Sequence, residues 1–147
     1  MHITRYTDYA LRVMIFSALK GDELSTIQEI ATHYDISKNH LMKVVQQLNT
    51  QGYVQALRGK NGGLRLSRSP ADINLGKLFR DTEQDMALVE CFNARSDCAI
   101  SPACELRRIL QEALQAFVAT LDQYTLADIV DHRRPELIHL LQLGSPA

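Results

Sequence analysis

The sequence predicts a mainly α fold with a small β-wing, on three observations. Apolar residues recur at helical spacing through most of the chain. One stretch, YVQALRGKNGGLRLSRS, switches to two strand-like runs around a glycine-rich loop. The longest periodic pattern comes late, from about Pro102. With 147 residues, 46% of them hydrophobic and 22% charged, these elements make one domain or two closely packed subdomains around a real core.

Residues 5–19 read as a first helix, with Ala10, Val13, Met14 and Ser17 on one stripe. The segment GDEL breaks it. Thr26 and Glu29 then fit a capping box, which starts a second helix. Ile27, Ile30 and Ala31 form its apolar face, and it ends near His33 and Tyr34. Ser37 suits the N-cap of a third helix, KNHLMKVVQQLNTQG, which buries Leu41, Val44, Val45 and Leu48 and stops at Gly52. Two short helices with a tight turn between them, the second one cationic, form a helix-turn-helix. The second helix would enter the major groove by its N-terminal end. Ser37, Lys38, Asn39, His40 and Lys43 stand there, and their types suit phosphate and base-edge contacts.

Val54–Leu57 and Leu64–Leu66 read as strands around the loop RGKNGG. Asn61, Gly62 and Gly63 are expected to supply its positive-φ residues. Arg58, Lys60, Arg65 and Arg68 are expected to cluster around its tip. A basic hairpin after a helix-turn-helix is a wing, able to lie on the DNA backbone or reach into the minor groove.

A linker follows Ser69 and Pro70. INLGKLFRDTE then reads as a short helix with Leu75, Leu78 and Phe79 inward. In the long helix Leu106, Ile109, Leu110, Ala113, Leu114, Phe117, Val118 and Leu121 form a wide apolar stripe. Part of it packs on the winged region, and the rest is a natural seam for a homodimer on a palindromic site. The tail DQYTLADIVDHRRPEL reads as a further short helix and then a loose end. The fold class is therefore a winged helix-turn-helix plus a long dimerisation helix. Residues 1–70 form the DNA-binding domain, and residues 71–147 carry a cysteine loop and the dimerisation helix.

Charge agrees with that division. Residues 1–70 hold nine Lys or Arg against five Asp or Glu, and residues 71–147 hold seven against twelve. Ile36 to Ala71 contains six cations and no acid, a pattern that suits double-stranded DNA. Asp8 and Arg12 interrupt the N-terminal apolar stretch, so it does not read as a signal peptide. No run approaches the roughly 18 apolar residues of a membrane span. A cytoplasmic protein without membrane contact is expected, with its thiols kept reduced.

All three cysteines lie in CFNARSDCAISPAC, at Cys91, Cys98 and Cys104. Zinc sites draw on closely spaced cysteine pairs with nearby His or Cys, and there is no such pair here. A catalytic thiol needs a positioned base, and nothing supplies one, so no enzyme is expected. Three thiolates on a turn-rich loop do suit an iron–sulfur cluster.

The chain resembles the NsrR group of nitric-oxide-sensing iron–sulfur repressors, within the winged-helix regulators that include IscR. The resemblance runs from Met1 to about Leu137. It is carried by TDYALR, SKNHLMKVVQQL, RGKNGGLRL, the three cysteines, SPACEL and LDQYTLADIV. It implies a homodimeric repressor with a [4Fe–4S] cluster on Cys91, Cys98 and Cys104, and [2Fe–2S] as its oxidised form. In IscR-like members a histidine three residues after the last cysteine is the fourth ligand. Arg107 stands there in this chain and cannot ligate. In NsrR-like members an aspartate near the N-terminus, given by the other subunit, fills that role, and Asp8 stands at the matching place. Glu90 and Asp97, within or beside the loop, are the rival carboxylates. Asp8 can pair with Arg12 at i, i+4, which makes Arg12 the residue that would couple the cluster to the reading head. Nitric oxide is the expected signal. The alternative is an IscR-like regulator that senses iron–sulfur status or redox state.

Overall fold

A computed structural model describes residues 1–144. The elements are α1 (Arg5–Lys20), α2 (Ile27–Tyr34), α3 (Lys38–Thr50), β1 (Val54–Leu57), β2 (Gly63–Leu66), α4 (Leu75–Thr82), α5 (Glu105–Leu121), α6 (Leu126–Asp131) and α7 (Arg134–Leu140). This is the mainly helical fold with a small wing that the sequence predicts. No helix among the described residues is long and apolar enough to cross a membrane.

Local chemistry starts the helices where it should. Thr4 Oγ1 accepts from Thr7 N at the head of α1. At α2, Thr26 Oγ1 accepts from Glu29 N at 3.0 Å, and Glu29 returns a carboxylate oxygen to Thr26 N at 3.3 Å. Such a cap contributes about 1 kcal/mol. Lys20 at the end of α1 reaches the same Glu29 at 2.9 Å, which joins the two helices. Asp35 turns the chain in the left-handed region between α2 and α3, a conformation that its short polar side chain tolerates. Ser37 caps α3 through His40 N.

Helix α1 is the centre of the core. Ala10, Val13, Met14 and Phe16 are wholly buried, and they meet Leu41, Val44 and Leu48 of α3 and Ile30 of α2. Leu64 of β2, Leu78 of α4 and Leu126 and Val130 of α6 belong to the same cluster. The core thus runs across residue 70 without a break.

The wing departs from expectation in two details. Its register is Val54↔Leu66 to Leu57↔Gly63. The positive φ falls at Gly59, at 109°, and not at Asn61, Gly62 or Gly63. Glycine is needed at 62 and 63 for space instead. A Cβ at Gly62 would lie 2.1 Å from the Leu57 carbonyl oxygen, and one at Gly63 would lie 2.7 Å from the Ser25 carbonyl oxygen. The second approach exists because Ser25 and Leu64 exchange backbone hydrogen bonds at 2.7 and 2.8 Å. Secondly, only Arg58 and Lys60 stand at the tip. Arg65 pairs with Gln55 across the strands, and Arg68 lies over the Tyr53 ring, 5.1 Å from its centroid, at the base of the hairpin.

The linker is one 3-10 turn, Pro70–Asp72. Beyond it Asn74 pairs with Thr125 as an isolated antiparallel bridge, and Arg80 holds Asp122 with two hydrogen bonds. The expected loose end is instead helix α7. Pro135 sits in its first turn, where a missing N–H costs nothing. Leu137, Ile138 and Leu141 pack on the core, and Arg134 donates to the last carbonyls of α1, Ala18 and Leu19. A cation is favoured there by the helix dipole.

Candidate functional site

The outward face of α3 and the wing tip form a basic surface. Ser37, Lys38, Asn39 and Lys43 are exposed, and so are Arg58, Lys60 and Asn61. Gly62 and Gly63 are half-buried within the turn. His40 is the exception on α3. It leans inward, with its ring 4.8 Å from that of Tyr9 on α1, and is only partly available to DNA. Asn49 Oδ1 accepts from Ala56 N at 3.0 Å, which fixes the wing to the end of α3. That bond joins the two parts of the surface. The side chains singled out on the sequence are brought to it in exposed positions, except His40, which is shared with the interior.

Asp8 and Arg12 lie on α1 as the i, i+4 spacing requires. Arg12 Nε and Nη2 donate to the two carboxylate oxygens at 3.2 and 2.9 Å, a bidentate pair. Both side chains are about two-fifths exposed, at 40% and 37%, so the pair is worth little to stability. The Arg12 guanidinium lies 5.5 Å from the Tyr9 ring and 5.7 Å from the Tyr34 ring. Burial pushes the Tyr34 hydroxyl up to about 12, against the nearby Arg12 charge, so this ring is a neutral partner near pH 7. Tyr9 in turn carries the contact to His40 at the head of α3. Neither tyrosine is marked by the sequence, because aromatic partners of a cation have no fixed spacing. Asp8, Tyr9 and Arg12 line an open cleft with His2, Ile3 and Arg5.

The cysteine loop joins α4 to α5 and holds two 3-10 turns, Glu90–Phe92 and Ser101–Ala103. Cys91 and Cys104 are half-buried, Cys98 is exposed, and all three are free thiols. Cys104 is the N-cap residue of α5, at the positive end of that helix. No three His, Cys, Asp or Glu side chains among the described residues are gathered closely enough to hold one metal ion. A multi-iron cluster has a different requirement, since each thiolate binds its own iron. The donor set fits such a group in chemistry: soft ligands, reduced, on a loop that turns twice. Two orphaned atoms agree. Ser101 Oγ and Arg107 Nε are buried without a hydrogen-bond partner, three residues to either side of Cys104. Glu90 and Asp97 are both exposed, and neither is in an ion pair among the described residues.

Along α5 the apolar stripe is mostly uncovered. Val118 is buried and Phe117 meets Phe79 of α4 edge-on at 5.3 Å. Leu106 remains 62% exposed and Ile109 51%. Met1, Ile3, Phe79, Met86, Leu110 and Phe117 line an apolar groove of about 580 Å³ beside it.

The model of the Rrf2 family, described as iron-dependent transcriptional regulator, matches residues 3–132. The chain belongs to the Rrf2 family. Among its Rrf2 relatives is the HTH-type transcriptional regulator NsrR of Bacillus subtilis, 50% identical over 145 residues, which cover 97% of this chain and 99% of that protein. NsrR of Bacillus licheniformis is 52% identical over 139 residues, covering 91% and 97%. These matches bear out the resemblance read from TDYALR, the wing and the cysteine loop. Among solved structures, CymR, the global cysteine regulator of B. subtilis, superposes with a TM-score of 0.71 at 26% identity, over 90% of this chain and 98% of that one. IscR of T. potens has the same fold, with a TM-score of 0.70 at 22% identity, over 90% and 88%. This Rrf2 protein is accordingly a transcriptional regulator and not an enzyme.

Proposed function

We propose that the chain is a cytosolic, homodimeric repressor that binds a palindromic operator, holds a [4Fe–4S] cluster and leaves DNA in response to nitric oxide. The observation that carries this reading is the set of three free cysteines on one loop, in a chain whose α3 and wing present a basic surface. Residues 1–70 read DNA, with Ser37, Lys38, Asn39, His40 and Lys43 at the major groove and Arg58, Lys60, Asn61, Gly62 and Gly63 at the backbone. Residues 71–147 carry the cysteines and the exposed stripe of α5, which a second copy would cover. Cys91, Cys98 and Cys104 would hold the cluster with Asp8 of the partner subunit, and [2Fe–2S] would be the form left after oxidation. When bound, the group supplies irons that take nitric oxide, one of them through a carboxylate that is a weaker ligand than thiolate.

The chain's own residues supply the coupling. Asp8 can serve the cluster or Arg12, and Arg12 stands between Tyr9 and Tyr34. In the loaded form Asp8 would serve the cluster; attack on the cluster would release it to the Arg12 guanidinium, and Tyr9 would pass the change to His40 at the head of α3. Two heads shifted this way no longer match a fixed half-site spacing.

Gel shifts on cluster-loaded, cluster-free and nitric-oxide-treated protein test this reading. The loaded form is expected to bind operator most tightly, and equal binding by all three would refute it. Release by oxidant or cluster loss, with nitric oxide ineffective, would favour the sensor of iron–sulfur status. The wing has its own check. Arg58→Ala or Lys60→Ala is expected to weaken binding and to lower the slope of log affinity against log salt by about 0.9 for each phosphate no longer neutralised. An unchanged slope would remove that side chain from the interface.

A further inference from the structure

Two carboxylates at the end of α4 reach back to the reading head, and neither is used by the function proposed above. Glu83 is only 7% exposed. Its Oε2 accepts from Thr4 N and from Thr4 Oγ1, each at 3.0 Å. No cation pairs with it among the described residues. Its charge is held instead by the positive end of α1 and by two donors of a single residue. Thr4 is the cap of α1, and its carbonyl oxygen accepts from Asp8 N at 3.0 Å. Glu83 therefore fixes the turn of helix that carries Asp8.

Asp81 makes the second arm. Its carboxylate accepts from Tyr53 Oη at 2.5 Å and from Lys77 Nζ at 2.6 Å. Its backbone oxygen accepts from Gln51 Nε2 at 2.7 Å. Gln51 caps the end of α3, and the buried Tyr53 leads into β1. Partial burial pushes the Asp81 carboxyl up, but the hydrogen bonds from Lys77 and Tyr53 outweigh it and hold it below the usual range. Residues 81–83 are thus fastened to both the start of α1 and the end of α3, and the cysteine loop begins at the next residue, Gln84.

We infer that Glu83 is a positioning residue for Asp8, and that with Asp81 it forms a two-armed clasp between the root of the cysteine loop and the reading head. A displacement of the loop root then reaches Asp8 through Thr4, and reaches the recognition helix and wing through Gln51 and Tyr53. The path to Asp8 rests on the reading of Asp8 as a ligand.

The test uses the full chain with Glu83→Gln, which keeps the shape but loses the charge, and with Thr4→Ser, which keeps both donors. Amide hydrogen exchange on cluster-free protein reads the anchor directly. Glu83→Gln is expected to speed exchange at Thr7 and Asp8 at least about tenfold, the loss of a charged hydrogen bond, with α2 unchanged. Thr4→Ser should exchange as the parent does. Unchanged rates in Glu83→Gln would overturn the positioning role. On protein loaded with its cluster without oxygen, Glu83→Gln is expected to alter the visible spectrum at full iron content, and to add nothing in an Asp8→Ala background. An equal change in both backgrounds would overturn the route through Asp8. A spectrum unchanged by Asp8→Ala would sink the ligand assignment instead, and leave the exchange result to decide on Glu83.

Discussion

Cys98→Ser is expected to reduce iron and sulfide from about four of each per chain to near zero, on protein purified without oxygen. Cys98 is exposed and lies outside the core cluster, so the substitution isolates the chemistry. Serine offers a hard, protonated oxygen where a soft thiolate is needed. Two cysteines and a carboxylate do not hold a cubane against loss. The visible absorption should vanish with the iron, while circular dichroism and the melting temperature of the cluster-free protein stay as they were. Full iron content in Cys98→Ser would show that the loop does not ligate through this residue. No iron in the parent protein would leave three thiols without a role and a plain winged-helix regulator.

Phe16→Ala has the largest expected effect on the fold. Phe16 is wholly buried on α1, with ring centroids 5.6 Å from His33 and 6.2 Å from Tyr34 of α2. Removing the ring separates the two helices and leaves a cavity that the surrounding helices cannot close. The cost is about 3–5 kcal/mol. For a chain of this size each kcal/mol lowers the melting temperature by about 2–4 °C, so a fall of roughly 10 °C is expected. Phe117 on α5 is the comparison, because it is 42% exposed. Phe117→Ala should cost far less in the dissociated chain and should act mainly on association, read as a melting temperature that depends on protein concentration. Equal losses from both substitutions, independent of concentration, would place α5 in the intramolecular core.

Local signals make most of this structure legible. Thr26 with Glu29 and Ser37 mark helix starts because a cap is a short-range hydrogen bond. Ala10, Val13, Met14 and Ser17 mark the buried stripe because helical period is a property of neighbours. The cysteine spacing and the basic wing mark the candidate site residues for the same reason. What stays hidden is held over long separations. Thr4 meets Glu83 across 79 positions, and Arg134 meets the end of α1 across 116. No window of sequence contains both partners. Helix α7 escapes a reading of the sequence because Pro135 both ends helices and starts them, and only the packing of Leu137 and Ile138 decides between the two. In the wing the conformational need falls at Gly59, while Gly62 and Gly63 are needed for space, and for Gly63 the crowding carbonyl at Ser25 lies far off in sequence.

The unbroken core across residue 70 carries a mechanical consequence. Helices α6 and α7 lie on α1, and Leu126 and Val130 share its apolar neighbours. There is no hinge at the point where the charge changes sign. The head that reads DNA cannot swing as a separate body on a tether. It can only tilt as α1 tilts, within the small give of a packed interior. On the dimeric reading proposed above, such a regulator would respond by misaligning two rigid readers by a little, and would depend on the fixed pitch of its target to turn that small error into release.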